Sequence, residues 1–296
     1  MLKALPRILL GLAALLAVIA LAFLAYPPAL QSTYAFLQQD NNPRPPVTIA
    51  RGVHFVGASD VASYLIETGD GLILIDGGYA STAPQIVANI EALGFAMSDV
   101  RIILNTHAHF DHAAGLAALS AASGAAVYAS AADAVQLRQG GANDFYLRNF
   151  WRYPPVEVER ELSDGEEVTL GGVTLTAHLT PGHTKGCTSW TFPVTMHDGR
   201  TAQALIICSL STLTFDLVDN PDYPEIAADF ARTYDTLQGL PCDVFLGAHG
   251  NWFDIEGKRA RIANGELDAF YDPDGCRAYL AQSRAEFETA LARQQN

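Results

Sequence analysis

The chain has 296 residues, of which 49% are hydrophobic and 17% charged, and a formal net charge of −14. That composition is apolar enough for a sizeable core and too sparsely charged for a disordered chain. The acidic balance argues against a nucleic-acid partner, which would need a basic face to neutralise phosphate.

The N-terminus opens with Lys3 and Arg7, followed by the uncharged run Ile8–Tyr26 and then Pro27 and Pro28. A basic start before an apolar stretch is the pattern of an export signal, and this stretch also reaches transmembrane length. Residues 1–30 are therefore read as a signal peptide or an N-terminal membrane anchor, 31–46 as a linker, and 47–296 as one domain. The expected location is the periplasm, with membrane contact only through an uncleaved N-terminal segment.

Strand-like runs follow the linker: "GVHFVG", "SYLIET" and "GLILIDGG", rich in β-branched and aromatic residues. "STAPQIVANIEALGF" reads as a helix, with Ser81 as its cap, Ile86, Ile90 and Leu93 on one face, and Gly94 as its stop. "VRIILN" reads as a strand buried on both faces. "AAGLAALSAASG" reads as a helix. "NDFYLRNFWRYPP", Asn143 to Pro155, carries few strand or helix signals. It reads either as a lid over a site or as Phe145, Phe150 and Trp151 filling a core beneath a loop.

In the second half, "EEVTLGGVTLTAHLTPG" reads as a hairpin turning at Gly171-Gly172. "CTSWTFPV", "ALIICSL" and "CDVFLGAHG" read as strands. "YPEIAADFARTYDTLQGL" and the closing "CRAYLAQSRAEFETALARQQN" read as helices. Strands and helices in two similar halves predict an α/β fold of two packed sheets with helices outside.

"NTHAHFDHAAG", directly after "VRIIL", places three of the chain's eight histidines within six residues. Alternate side chains of an extended HxH point the same way, so His107 and His109 could bind one metal. Asp111 and His112 follow as the chain turns, towards a neighbouring metal. A mixed nitrogen and oxygen donor set suits Zn²⁺. His183 in "PGHTKG" and His249 in "GAHGNW" each stand at a strand end beside glycine and join this group. His54, His178 and His197 lack such a setting and read as structural or exposed.

"THAHFDH", "PGHTKG" and "AHG", in this order, resemble the metallo-β-lactamase superfamily from about residue 45 onward. "SLS" at Ser209–Ser211, "LPCDV" and the later Cys276 make the chain most similar to the third, His-rich dizinc subclass of metallo-β-lactamases. The resemblance implies an αββα sandwich of two mixed sheets, with two Zn²⁺ between the sheet edges. His107, His109 and His183 would hold the first zinc, and Asp111, His112 and His249 the second. It further implies a Cys242–Cys276 disulfide and a β-lactam substrate whose carboxylate meets Ser209 and Ser211. Lys185 could add positive charge there or lie on the surface. The chemistry implied is hydrolysis of the lactam amide by a zinc-bound hydroxide, available near neutral pH, with Asp111 orienting it. The subclass resembled has Asp immediately before Ser-Leu-Ser, whereas this chain has Cys208. Two readings of Cys208 stay open: a second disulfide with Cys187, or a zinc thiolate. A monomer is expected, with no nucleic-acid partner. The runner-up activity is a lactonase or a thioesterase resembling glyoxalase II, enzymes that place a metal-bridging Asp where this chain has Cys208-Ser209.

Overall fold

The computed structural model describes residues 42–295. The expected signal or anchor segment, 1–30, lies outside the described residues, as does most of the stretch read as a linker. Residues 42–46 pack on the domain: Arg44 pairs with Glu256 at 2.9 Å, and its carbonyl accepts from the Asn89 side chain.

A seven-stranded sheet runs in sequence order: β1 (Val47–Ala50), β2 (Val53–Phe55), β3 (Tyr64–Thr68), β4 (Gly71–Ile75), β5 (Val100–Leu104), β6 (Ala126–Ser130) and β7 (Arg160–Leu162). The first four strands pair antiparallel, and β4 through β7 pair parallel. The parallel connections carry helices α1 (Ala83–Ala92), α2 (Phe110–Ala113), α3 (Leu116–Ser123) and α4 (Ala131–Arg138). A five-stranded sheet holds β8 (Glu167–Leu170), β9 (Val173–Leu179), β10 (Thr188–Thr195), β11 (Thr201–Ile207) and β12 (Val244–Gly247), in the order β12-β11-β10-β9-β8. Helices α5 (Ile226–Gly239), α6 (Ile255–Ala263) and α7 (Pro273–Gln295) complete the domain.

The strand period of two explains the layers. On β4, Ile73 and Ile75 enter the core that also holds Trp190 and Phe192 of the second sheet, while Leu72 and Leu74 enter a separate core with Ile86, Ile90, Leu116 and Leu137. The first sheet is therefore covered on one face by the second sheet and on the other by α1, α3 and α4. Phe230 and Tyr234 of α5 meet Phe287 of α7 at ring-centre distances of 5.4 and 5.6 Å, forming the opposite helical layer. The result is the expected αββα sandwich.

Most elements fall where the sequence reading put them. Leu170 and Val173 pair across Gly171 and Gly172, both at positive φ (49° and 85°), the conformation a two-residue hairpin turn needs. Helix α1 begins one residue later than expected, with Thr82 rather than Ser81 at its N-cap and a proline in its first turn. The helix expected over "AAGLAALSAASG" is α3, which starts after Gly115 as its N-cap and stops at Gly124, with the short α2 before it. A Cβ on Gly115 would stand 2.1 Å from the Gly77 carbonyl oxygen, so the chains can pass only with glycine there.

Candidate metal centre

Three loops converge at one end of the sandwich. His107 and His109 lie in the loop between β5 and α2, His183 in the loop between β9 and β10, and His249 two residues beyond β12. The Thr188 N–H donates to the Thr106 carbonyl at 2.8 Å, joining the first two loops across the sheets. His249 makes a β-bridge with Val61, which holds the third loop to the chain before β3.

The inward ring nitrogens form two adjoining groups. Donor atoms of His107, His109 and His183 all lie within 4.8 Å of one another. His109 Nδ1 is 3.0 Å from His183 Nε2, although the residues are 74 positions apart. Asp111 Oδ2 is 3.3 Å from His112 Nε2 and 3.5 Å from His249 Nε2, and those two nitrogens are 3.3 Å apart. His107 also falls within 4.8 Å of Asp111 and His112, so the groups share a border. The six side chains named from the sequence are thus gathered in one place.

Each imidazole has its outer nitrogen beside an oxygen. His107 Nδ1 lies 3.1 Å from the Thr106 hydroxyl, and His183 Nδ1 donates to the Ser211 carbonyl at 2.7 Å. His112 Nδ1 faces Asp76 Oδ2 at 3.2 Å, His249 Nδ1 faces Asp60 Oδ2 at 2.6 Å, and His109 Nε2 stands 3.6 Å from Asp144. An oxygen on the far nitrogen fixes tautomer and ring orientation, leaving the near nitrogen's lone pair for a metal. Asp60, Asp76 and Asp144 are themselves buried. Asp76 also accepts from the Asn105 amide, the Thr106 N–H and the Thr106 hydroxyl.

Electrostatics divide the two groups. Burial, reinforced by the neighbouring imidazoles, holds His107 well below its usual 6.5 and His183 at about 3, so both are neutral. Burial acts the same way on His112, but Asp111 and Asp76 outweigh it and raise it to about 10. His249 is raised likewise, by Asp111 and Asp60 against burial. Burial would raise Asp111, yet His112 and His249 hold it well below 3.8, so it is ionised. The chemistry of this donor set fits zinc: three imidazoles on one side, two imidazoles and a carboxylate on the other. Three protein donors per ion leave a coordination position for water or substrate.

Cys208 is absent from both groups. It is bonded to Cys187, and Cys242 is bonded to Cys276. The zinc-thiolate reading of Cys208 is therefore set aside. Ser209 is buried and its hydroxyl accepts from the Ser211 N–H; the Ser211 hydroxyl accepts from the Leu213 N–H. Of the two, only Ser211 is partly exposed beside the metal groups. Lys185 points outward and donates to the Asp222 carbonyl. The aromatic segment divides its residues. Phe145 packs on Phe215 and Tyr223, Trp151 stacks on Phe110 at 4.7 Å, and Phe150 is 83% exposed, contrary to its reading as core. His54 pairs with Glu67 and His178 with Thr191, both in structural roles.

Sequence reasoning missed Asp60, Asp76 and Asp144. The available signal was Asp76, a carboxylate ending the apolar strand "LILID".

Comparison with known proteins agrees with this geometry. The sequence profile of the metallo-β-lactamase superfamily matches residues 56–195. The structure of the FEZ-1 metallo-β-lactamase from Legionella gormanii superposes with a TM-score of 0.84 at 42% identity, covering 86% of this chain and 98% of that one. BJP-1, a subclass B3 metallo-β-lactamase of Bradyrhizobium japonicum, superposes at 0.82 with 34% identity, over 88% of this chain and 98% of that one. Among curated relatives, a hydroxyacylglutathione hydrolase of Anaeromyxobacter dehalogenans is 34% identical over 43% of this chain and 40% of its own length. The chain spans about half or less of the length of the first curated relatives it matches. The near-complete overlap with solved relatives at this identity, together with the two His-rich donor groups, makes the chain a member of the metallo-β-lactamase superfamily.

Proposed function

We propose that the protein is a zinc-dependent β-lactamase that hydrolyses the amide bond of β-lactam antibiotics, using two Zn²⁺. His107, His109 and His183 would hold the first ion, and Asp111, His112 and His249 the second. When bound, zinc supplies Lewis acidity for a carbonyl and a water acidic enough to ionise near neutral pH. The chain's own residues do the rest. Thr106, Asp144 and the Ser211 carbonyl hold the first group's rings, and Asp76 and Asp60 hold those of His112 and His249. Asp111, ionised, accepts a hydrogen bond from the attacking water and so orients it. The Ser211 hydroxyl, at the mouth, binds the substrate carboxylate, with Ser209 supporting the turn beneath it.

The observation that favours this reading over a thioesterase or lactonase is the superposition on the FEZ-1 metallo-β-lactamase at 42% identity over 98% of its length, whereas the match to the hydroxyacylglutathione hydrolase of Anaeromyxobacter dehalogenans spans 40% of that enzyme. Two disulfides also support an oxidising compartment. The reading accordingly includes export to the periplasm, with residues 47–296 as the working domain.

The test is turnover of nitrocefin by the zinc-loaded protein, abolished by EDTA and restored by zinc. Absence of turnover, alongside rapid hydrolysis of a hydroxyacylglutathione thioester or a lactone, would replace the β-lactamase reading with the runner-up.

A further inference from the structure

The first metal group is assembled from two loops with no regular structure at the histidines themselves. Beyond the Thr188–Thr106 backbone bond, the sheets leave open what sets the distance between His107–His109 and His183. The junction between β6 and α4 supplies the missing constraint.

Asp133 is the third residue of α4, and its own N–H donates to the Ser130 hydroxyl that caps the helix. It is 3% exposed. One carboxylate oxygen, Oδ2, accepts from the N–H of Ala108, the residue between the two HxH histidines, at 2.9 Å. The same oxygen accepts from the hydroxyl of Thr184, the residue after His183, at 2.9 Å. The other oxygen, Oδ1, accepts from the Gly186 N–H, also at 2.9 Å. One buried carboxylate therefore grips both loops within one residue of a ligand on each.

Neighbouring groups complete the grip. The Ser130 hydroxyl donates to the Gly186 carbonyl at 2.6 Å, so both polar groups of that residue are held by one helix start. A Cβ on Gly186 would stand 2.2 Å from the Ser130 oxygen and 2.6 Å from Asp133 Oδ1, so the loop can approach this closely only as glycine. On the other side, the buried Tyr153 hydroxyl donates to the Ala108 carbonyl at 2.6 Å. The Ala108 backbone is thus held at both ends. The first turn of a helix is a favourable place for the negative charge that does this.

We infer that Asp133 is a positioning residue for the first metal group, acting through the Ala108 and Gly186 backbones and Thr184 rather than by touching the metal. The inference rests on the reading of His107, His109 and His183 as metal ligands. All three partners offer hydrogens to the carboxylate. Asn at this position must turn its amide hydrogens towards either the Gly186 N–H or the Ala108 N–H, and donor then faces donor. At least one of the three hydrogen bonds is lost, and a donor–donor contact replaces it, while side-chain size is kept.

The test measures zinc affinity by chelator competition in a chain carrying His249→Ala, where only the first group is complete. Adding Asp133→Asn is expected to weaken the single zinc by roughly 10- to 100-fold, the range for residues that orient metal ligands. The cobalt(II)-substituted protein should show a shifted visible ligand-field spectrum. Thr184→Val, which removes one of the three bonds and keeps the carboxylate, should weaken zinc binding less but in the same direction. It carries the test if the Asn variant fails to fold. Unchanged affinity and an unchanged cobalt spectrum in the Asn variant, or unchanged affinity in the Val variant where Asn does not fold, would overturn the inference. A His249→Ala chain that binds no zinc at all would overturn the metal-ligand reading beneath it, a separate result.

Discussion

Replacing Cys187 and Cys208 together by alanine separates a structural role for this disulfide from a role in the metal shell. The two residues are 21 positions apart and fully buried, joining the start of β10 to the end of β11. In the chain-entropy model, opening a loop of this length costs about 3 kcal/mol. Two alanines in place of buried sulfurs add a cavity cost on the order of 1 kcal/mol. The sum, about 4 kcal/mol, corresponds to a fall in melting temperature of roughly 10 °C for a domain this size. The assay is urea unfolding of the wild-type and double-alanine proteins, both in EDTA so that metal linkage does not enter. Zinc content of each loaded protein is measured in parallel. A loss near 4 kcal/mol with two zincs retained is the expected result. A drop from two zincs to one would make Cys208 a metal ligand, and unchanged stability would refute the loop argument.

The remaining tests concern other parts of the molecule. Lys258 is buried and pairs with Asp272 at 2.9 Å, where Asp272 is about a third exposed. Asp272→Asn should cost roughly 2 kcal/mol, below the range for a fully buried pair. Burial raises Asp272, but the Lys258 and Gly275 hydrogen bonds outweigh it and hold its carboxyl below 3.8. Its stabilisation is therefore fully present above pH 3.8 and lost as pH falls through the lowered folded value. The stability gap between wild type and Asn, followed by urea unfolding against pH, should close in acid; a gap that widens there contradicts this. Gly182, at φ 139°, packs so that a Cβ would stand 2.7 Å from the Phe230 ring. Gly182→Ala should lower stability by about 1 to 3 kcal/mol, read from the urea midpoint. Phe150→Ala should leave that midpoint within about 0.5 kcal/mol of wild type, whereas Trp151→Ala, which loses the stack on Phe110, should cost more.

The candidate ligand set was legible because its signals are local. "HAHFDH" packs four donors into six residues after a buried strand, and His183 and His249 each stand beside a glycine near a strand end. The layers were legible because strand-like and helix-like runs recur in two similar halves. What supports the ligands was not legible. Asp60 reaches His249 across 189 positions and Asp76 reaches Thr106 across 30, separations at which spacing carries no information. β6 and α4, which bring Asp133 to the site, are short and alanine-rich, so neither produced a periodic pattern. The exposure of Phe150 was equally hidden, since an aromatic cluster in a loop has the same composition whether it fills a core or covers a mouth.

The most direct test of the proposed dizinc centre is a zinc-edge anomalous difference map from crystals of the zinc-loaded protein. Two peaks are expected, one bonded to His107, His109 and His183 and the other to Asp111, His112 and His249, with the Cys187–Cys208 disulfide intact. A single peak, or a peak bonded to Cys208, would contradict the account.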